Sequence, residues 1–264
     1  MTSEYGASWF QRHLTLARGF TCNICSTRNH IARKKLTRED ASCKRCGSTV
    51  RMRSIVHLLS IELFGKSIPL PDFPTDKSVT GIGMSDWDGY ALPLAKKFDY
   101  KNTYYHQEPR LDITNIPDDL AETLDFVIST DVFEHVLSPV SRAFVNTYRL
   151  LKPGGVFIFT VPFTLENEHT IEHFDTLNDF EIIEEDGKHV LINTTPDGAS
   201  RRYENLVFHG GPGSTLEMRV FSKASVLREL ELAGFNDVEI AGDASPRNGI
   251  FWDKPWSLPI IARK

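Results

Sequence analysis

The sequence lacks the features that would place it in a membrane or outside the cell. None of the apolar runs in its 264 residues approaches the roughly 20 residues that span a bilayer. Residues 1–20 also lack the charged and then apolar layout of a signal peptide. With 41% hydrophobic and 25% charged residues, the composition is that of an ordinary globular protein. We therefore expect a cytoplasmic protein without a membrane span, and the sequence favours no particular oligomeric state.

Cysteine is scarce, and all four cysteines lie near the start of the chain. They form two C-x2-C pairs, Cys22 with Cys25 and Cys43 with Cys46, with 17 residues between the pairs. Each pair can aim two sulfur atoms at one point from a tight turn, as in a four-cysteine zinc site. Such a site is closed, so the Zn²⁺ would be structural. The alternatives are two disulfides or four unrelated thiols, and the lack of a secretion signal favours zinc.

Positive charge is concentrated in the same part of the chain. Residues 1–78 carry 13 Lys and Arg against 6 Asp and Glu, whereas the remainder carries 17 against 29. Seven basic residues around the cysteines could hold RNA phosphates: Arg28, Arg33, Lys34, Lys35, Arg38, Lys44 and Arg45. Alternatively, they keep a small module soluble. No aromatic residue for base stacking lies between Cys22 and Cys46, which weakens the RNA hypothesis.

The sequence divides into two predicted domains. Residues 51–64 are predicted to form an amphipathic helix, and the proline-rich run at 69–74 cannot continue it. We therefore assign residues 1–74 to a zinc-ribbon-like module with a linker helix. Residues 75–264 form the larger predicted domain.

The larger domain is organised around a predicted strand–helix–strand unit at residues 125–162. A short apolar run predicts a strand that ends before Asp131, and Pro139 marks the start of a helix. The helix ends at Lys152–Gly155, because proline cannot continue it and glycine permits the exit. The apolar run at 156–159 predicts a strand that is buried on both faces of a parallel sheet. Such a unit is a right-handed crossover of an α/β fold.

The segment before this unit has the pattern of a ligand-binding loop. A predicted strand runs into a turn of small residues, Gly81, Gly83 and Ser85, where the backbone can approach a ligand. The next strand is predicted at residues 102–106. Glu108 follows it, where an acidic residue can accept hydrogen bonds from ribose hydroxyls.

Taken in order, these elements resemble class I S-adenosylmethionine-dependent methyltransferases. The most specific parts of the resemblance are DFVIS with VFEHV, and RLLKPGG with FIFTVP. The likeness covers residues 78–162 and returns at 219–264. It implies an α/β fold, with a Rossmann-like sheet of seven strands, helices on both faces and one antiparallel strand near an edge. It also implies S-adenosyl-L-methionine as the cofactor.

The resemblance implies roles for single residues as well. It places Gly81, Gly83 and Ser85 at the methionine end of the cofactor and Glu108 at the ribose. Asp112 and Ile113 would flank the adenine, and Asp131 would lie by the amino-acid moiety. The chain departs from the family in three ways. Gly81 stands where an acidic residue is usual, Ser85 stands where a glycine is usual, and residues 108–112 leave no room for the usual helix.

Residues 163–218 are an insert that the minimal fold does not need. They are predicted to contain a loop, a β-hairpin that turns at Asp186-Gly187, and a glycine-rich turn at 209–213. Because the insert follows a strand of the sheet, it should overhang the ligand-binding edge and act as a substrate lid.

Three histidines are candidates for substrate contact or general base: His135, His169 and His173. The run from His169 to His173 also matches the H-x-x-E-H signature of metalloproteases. That motif belongs on a helix, whereas this run is predicted to be a loop. Methyl transfer from a sulfonium depends mainly on alignment, and a base is needed only where the nucleophile holds a proton.

The leading hypothesis for function is methyl transfer to oxygen or nitrogen of a small molecule or a sugar under the lid. The first alternative is an rRNA or other RNA base methyltransferase, whose basic zinc module holds RNA. The second alternative is a non-catalytic binding protein that keeps the fold.

Overall fold

The computed structural model describes residues 19–174, 177–210 and 215–264. These residues form four α-helices: α1 (Val50–Phe64), α2 (Asp88–Lys97), α3 (Ser141–Leu150) and α4 (Lys223–Ala233). They also form sixteen strands: β1 (Phe20–Thr21), β2 (Arg28–Asn29), β3 (Thr80–Met84), β4 (Asp99–Thr103), β5 (Leu124–Thr130), β6 (Leu151–Thr160), β7 (Phe163–Thr164), β8 (Ile171–Glu172), β9 (Asp179–Glu185), β10 (Lys188–Thr194), β11 (Ser200–Tyr203), β12 (Phe208–His209), β13 (Thr215–Leu216), β14 (Arg219–Ser222), β15 (Asp237–Ile240) and β16 (Ile260–Arg263). None of the described helices has the length and apolarity to cross a bilayer.

Six strands form the central sheet, in the order β15-β16-β6-β5-β3-β4. Strands β3 to β6 run parallel, and β16 is antiparallel to both β6 and β15. The predicted Rossmann-like α/β architecture, with an antiparallel strand near one edge, is confirmed. The predicted seventh strand is wrong for the described residues. The 20 residues between Thr103 and Leu124 are too few for a further parallel strand, since each crossover takes a dozen or more.

Helices cover both faces of this sheet because its inner strands alternate their apolar side chains between the two faces. On one face, Phe126 and Ile158 pack with α1 and α2 in one hydrophobic cluster. On the other face, Val127 and Phe157 pack with α3 and α4 in a second cluster. All four of these side chains are fully buried. This is the pattern of strands that are enclosed on both sides.

The central strand–helix–strand unit is formed, with shifted ends. Helix α3 begins at Ser141, and a separate 3₁₀ turn at Phe133–His135 precedes it. Strand β6 begins at Leu151, so the predicted helix stop is part of the strand, where Gly154 has φ 80°. His135 belongs to the 3₁₀ turn and precedes the helix, whose start was predicted at Pro139. It lies in the loop after β5, at the ligand-binding edge of the sheet.

The cysteine-bearing segment is packed against the large domain. Helix α1 begins after Thr49, whose hydroxyl accepts a hydrogen bond from an amide of the first turn, and it ends at Gly65 with φ 66°. One hydrophobic cluster contains Phe20 of this segment and Phe126 of the sheet. The predicted division at residue 74 therefore separates two segments that share a core.

The described part of the insert is built from short strands. The predicted hairpin is β9 and β10, which turn at Asp186 and Gly187, and β11 pairs with β10. Strands β7 and β8 pair with β14, and β12 pairs with β13. A third hydrophobic cluster contains Phe174, Leu191 and Met218. Residues 211–213 of the predicted glycine-rich turn lie outside the described residues.

Candidate active site

A cavity of about 840 Å³ opens where β3, β4 and β5 end. The loops after these strands form one part of its wall, which includes Ser85, Tyr104 and Asp131. The insert forms another part through Phe180 and His209. Small-molecule sites have volumes of about 300–1,000 Å³, and parallel α/β sheets bind ligands at this edge. We therefore take this cavity as the candidate active site.

Four of the seven predicted cofactor residues lie in the cavity wall: Ser85, Asp112, Ile113 and Asp131. Ser85 has φ 57°, a conformation that glycine adopts at lower cost. This explains why the family that the sequence resembles usually has glycine at this position. Asp112 accepts hydrogen bonds from the amide and the hydroxyl of Thr114, at 2.9 and 2.7 Å. Asn146 donates to the carbonyl of Ile113 at 2.8 Å. These bonds fix the loop that would flank adenine.

Gly81 and Gly83 lie below the cavity and do not form its wall. A Cβ on Gly81 would lie 2.3 Å from the ring of Phe126. A Cβ on Gly83 would lie 2.0 Å from the hydroxyl of Tyr100 and 2.2 Å from the carboxylate of Asp86. Both glycines are thus required by close packing, and their contact with the cofactor stays a prediction.

Glu108 does not follow the second strand directly, as the sequence analysis expected. Strand β4 pairs with β3 from Asp99 to Thr103 and ends well before Glu108. The aromatic run at 104–106, predicted as strand, lines the cavity instead. Glu108 is exposed, lies outside the wall and accepts a hydrogen bond from the amide of Arg110 at 3.0 Å. This position does not favour a contact between Glu108 and ribose.

The carboxylate of Asp131 is fixed by two arginines of the cysteine-bearing segment. Arg38 donates to both of its oxygens, at 2.7 and 3.0 Å, and Arg51 lies 3.3 Å away. The hydroxyl of Thr160 donates at 2.8 Å. Burial alone would raise the pKa of Asp131, but the charges of Arg51 and Arg38 lower it to about 2. The cysteine-bearing segment therefore reaches the edge of the cavity.

Histidines and glutamates form a cluster on the lid side of the cavity. His135 and His209 lie in the wall, with their ring centroids 4.7 Å apart. Nε2 of His209 lies 2.7 Å from one oxygen of Glu217, and Nε2 of His173 lies 2.8 Å from the other. Nδ1 of His135 lies 2.7 Å from the carbonyl oxygen of Leu216. The cluster joins the loop after β5 to the insert.

The pKa values of the groups in this cluster are shifted in both directions. Burial raises the pKa of Glu134, which is fully buried beside the two histidines, to about 7. The pKa of His209 is raised to about 9, first by Glu134 and then by Glu217. Burial lowers the pKa of His135. The cluster can therefore take up or release protons without leaving the physiological range.

A buried arginine holds the loop that carries Glu134 and His135. Arg219 is fully buried on β14. Its guanidinium donates to the carbonyl of Phe133 at 3.0 Å, and it also contacts the carbonyl of Val136. Its Nε donates to Glu172 at 2.7 Å. The carbonyl of Phe133 also accepts a hydrogen bond from the amide of Val136, so Arg219 adds a second donor there and supplies one to the carbonyl of Val136.

The three predicted catalytic histidines occupy different places. His135 is in the cavity wall, His173 is bound to Glu217 behind it, and His169 is exposed and outside the wall. The H-x-x-E-H run lies on β8 and adjoining bends, and its Glu172 pairs with Arg219. It therefore lacks the helical arrangement of a metalloprotease site.

Several polar residues at the site were not among the predicted ones. Asp86 is buried under the turn after β3, where Tyr90 and Tyr100 donate to its two oxygens at 2.7 and 2.6 Å. Burial raises the pKa of Asp86 to about 7. Glu134 and Glu217 are buried as well. The sequence contained one signal for these residues, which is an acidic side chain within an apolar run, such as Glu134 after Phe133. A carboxylate that is buried in such a run must have a partner.

The four cysteines come together in one group. Their sulfur atoms all lie within 4.8 Å of one another, with 3.7 Å between Cys22 and Cys46 and 3.6 Å between Cys25 and Cys43. None of them forms a disulfide. Four sulfurs at about 2.3 Å from a tetrahedral Zn²⁺ would be about 3.8 Å apart. The donor set and the spacing fit zinc.

A buried cation next to the cysteines supports the same fit. Arg53 is fully buried and donates to the carbonyl oxygens of Ser48, Asn248 and Gly249 at 2.7 to 2.9 Å. Among the described residues, Arg53 forms no ion pair with a carboxylate. The hydroxyl of Ser48 lies 3.3 Å from both Arg53 and Cys22. Four thiolates around Zn²⁺ carry net negative charge, which would compensate the charge of Arg53.

Comparison with known proteins gives one family match. Residues 77–159 match the model of a family described as a methyltransferase domain. No curated protein sequence matches the chain.

Solved structures with a similar fold share little sequence with this chain. An S-adenosylmethionine-dependent methyltransferase from Mesorhizobium loti is 15% identical, over 73% of this chain and 94% of its own, with a TM-score of 0.41. The sugar N-methyltransferase KedS8 from a Streptoalloteichus species is 11% identical, over 81% and 87%, with a TM-score of 0.46. The amino pentose methyltransferase CalS10 from Micromonospora echinaspora is 14% identical, over 82% and 92%, with a TM-score of 0.43. These values carry no information on the substrate.

The ion pairs of Asp131 predict a pH-dependent loss of stability in Asp131→Asn. The pKa of Asp131 is about 2 in the folded protein and about 3.9 in an unfolded chain, so its ionised form stabilises the fold above about pH 4. The difference corresponds to roughly 2.5 kcal/mol, which is lost as the pH falls from about 4 to 2. We expect Asp131→Asn to be less stable than the wild type near neutral pH by about this amount. The difference in free energy of unfolding between the wild type and Asp131→Asn should disappear in acid, and urea unfolding measured across the pH range tests this.

Asp118→Asn is the matched control, because Asp118 is almost fully exposed in its ion pair with Arg149. It should change the free energy of unfolding little at any pH. A gap between Asp131→Asn and the wild type that stays constant down to low pH would contradict the role of this charge.

Proposed function

We propose that this chain is a class I S-adenosylmethionine-dependent methyltransferase that methylates an oxygen or nitrogen atom of a small molecule or sugar, and the match of residues 77–159 to a methyltransferase-domain family supports the proposal. The observation that carries this proposal is that predicted cofactor residues and the insert line the same cavity. Its volume of about 840 Å³ leaves room for a compact acceptor beside the cofactor and suits no folded macromolecule.

In this proposal the cofactor and the acceptor occupy different sides of the cavity. Asp112 and Ile113, which line the cavity, flank the adenine, and Asp131, also in the wall, lies by the amino-acid moiety. Phe180 and Met218 of the insert offer apolar contacts to the acceptor. Holding the acceptor atom in line with the methyl group supplies most of the rate enhancement in such a transfer.

The cluster around His135 supplies the proton acceptors that the reaction needs. The acceptor atom forms a bond to the methyl carbon while the carbon–sulfur bond of the cofactor breaks, and the electron pair stays on sulfur. A hydroxyl or an ammonium group must lose a proton in the process. His135 and His209 line the cavity, and Glu134 lies directly behind them. Burial raises the pKa of Glu134 to about 7, which suits a general base.

The four cysteines have a separate, structural part in this proposal. Cys22, Cys25, Cys43 and Cys46 hold one Zn²⁺ in a closed site, which stabilises the segment that supplies Arg38 and Arg51 to Asp131. Cysteines that bind a metal ion instead of forming disulfides are typical of a reducing compartment, so we place the protein in the cytoplasm.

RNA is a weaker candidate for the acceptor, because part of the basic strip has other partners. Arg38 is paired with Asp131, and the guanidinium of Arg33 lies over the ring of Phe251 at 4.8 Å. Arg38 is therefore not available to RNA, whereas the other six residues, Lys44 among them, are exposed. Salt-sensitive RNA binding by the whole protein would reverse this preference.

The test of the cofactor site is calorimetric titration with S-adenosylhomocysteine. We expect the wild type to bind one equivalent. Asp112→Ala should weaken binding by about tenfold or more, because a charge-assisted contact is lost at the cavity wall. Glu108→Ala is the matched control, because Glu108 is an acidic residue of the same loop that lies outside the cavity wall. Its loss should change the affinity for S-adenosylhomocysteine by less than about twofold.

Transfer itself is tested by release of S-adenosylhomocysteine in the presence of hydroxyl and amino compounds, sugars and RNA. Turnover with a small compound supports the proposal. Turnover with RNA alone would overturn the acceptor class. An absence of cofactor binding in the folded protein would favour the non-catalytic alternative.

The zinc site predicts that Cys43→Ser loses both metal and stability. Replacing Zn²⁺ by Co²⁺ should give intense thiolate-to-cobalt absorption in the wild type and much less in Cys43→Ser. The melting temperature should fall by about 10 °C, as expected for the loss of several kcal/mol in a domain of this size. Ser42→Ala, next to the site but without a ligand atom, is the control. Unchanged stability in Cys43→Ser would contradict a structural ion.

A further inference from the structure

Three side chains at the cavity converge on one point. The atoms are Oε1 of Glu134, Nε2 of His135 and Nδ1 of His209, which all lie within 4.8 Å of one another. Oε1 of Glu134 is 3.7 Å from the nitrogen of His135 and 3.5 Å from that of His209. Ligands at about 2.1 Å from a tetrahedral ion would be about 3.4 Å apart. The spacing is thus close to that of a three-ligand metal site.

Both histidines are oriented as metal-binding histidines are. Nδ1 of His135 faces the carbonyl oxygen of Leu216, and Nε2 of His209 faces a carboxylate oxygen of Glu217, each at 2.7 Å. Because these oxygens accept hydrogen bonds, the facing nitrogens carry protons. When both rings are neutral, as metal binding requires, the opposite nitrogens, which point toward Glu134, carry the lone pairs. Metal ligands are held in this way by an outer carbonyl or carboxylate.

Glu134 is the strongest indication that a cation belongs here. Its side chain is fully buried, and neither carboxylate oxygen has a hydrogen-bond partner by geometry among the described residues. A buried carboxylate without hydrogen bonds is costly, and an ion between Glu134 and the two histidines removes this cost.

We propose that Glu134, His135 and His209 bind a divalent transition-metal ion of the Zn²⁺ type, in a second site distinct from the four cysteines. Imidazole and carboxylate donors suit zinc, cobalt, nickel and iron rather than calcium. Three protein ligands leave a coordination position open, as in catalytic sites. Both histidines line the cavity, so that position faces the acceptor.

The use of this ion rests on the proposed function, whereas its binding does not. With the ion bound, the lone pairs of Glu134, His135 and His209 are directed to the metal, so the ion takes the place of their direct role as proton acceptors. An acceptor hydroxyl bound at the open position loses its proton more readily, and the proton passes to water. The oxygen then forms its bond to the methyl carbon as the carbon–sulfur bond breaks. The site therefore favours oxygen acceptors over nitrogen acceptors that are already neutral.

Calorimetry with Co²⁺ tests the site directly. The protein is first saturated with Zn²⁺ and then treated with a mild chelator that leaves the four-cysteine site filled, which thiol titration verifies. We expect the wild type to bind one equivalent of Co²⁺, with visible absorption that lacks the thiolate band. Glu134→Gln and His209→Gln should lose this binding. Glu217→Gln should weaken it by about 10- to 100-fold, because only the orientation of His209 is affected.

His169→Gln is the matched control, since this histidine is exposed in the same insert and lies outside the cluster. It should bind Co²⁺ like the wild type. Failure of the zinc-loaded wild type to bind Co²⁺, or unchanged binding in both Glu134→Gln and His209→Gln, would overturn the proposal. S-adenosylhomocysteine binding is measured on the same samples, so loss of the metal site alone leaves the proposed methyl transfer standing.

Discussion

The ionic contact at Asp131 is the interaction on which the arrangement of the site depends. Asp131 has φ 54° at the end of β5, a conformation that an ordinary residue adopts only when its surroundings hold it. Arg38 and Arg51 bind its carboxylate from a segment that is folded around the cysteines. One carboxylate thus fixes a strand end, the cysteine-bearing segment and the cavity edge together. Metal at the cysteines would act on the cavity through this contact, without touching any reactant.

The predicted features that the structure confirms depend on contacts between neighbours in sequence. The run at 156–159 predicts a doubly buried strand because each of its residues is apolar, and Phe157 and Ile158 are fully buried. The hairpin at Asp186-Gly187 follows from turn chemistry that two residues determine. The spacing of the cysteines is likewise local, and the structure brings their sulfur atoms into one group. For these features the sequence is sufficient.

The parts that the sequence did not predict depend on contacts between distant segments. The central sheet has six strands and not seven, because the chain between β4 and β5 is too short for a further strand and its crossover. A family resemblance does not measure the length of such a connection. Glu108 was misplaced because the aromatic run before it reads as strand, although those residues face the cavity. Glu134, His209 and Glu217 are ordinary polar residues in isolation. The shifted pKa values of Glu134 and His209 exist only because the insert folds back onto the loop after β5.

The burial of Arg53 has a consequence for how the chain folds during synthesis. Its guanidinium binds the carbonyl of Asn248, 195 residues further along the chain. Until the ribosome has released that part of the chain, the arginine that neighbours the cysteines has no access to two of its carbonyl partners, Asn248 and Gly249. The amino-terminal segment therefore cannot complete its structure first, as an independent domain would. The two parts of the protein reach their final state together, after residues 248 and 249 have left the ribosome.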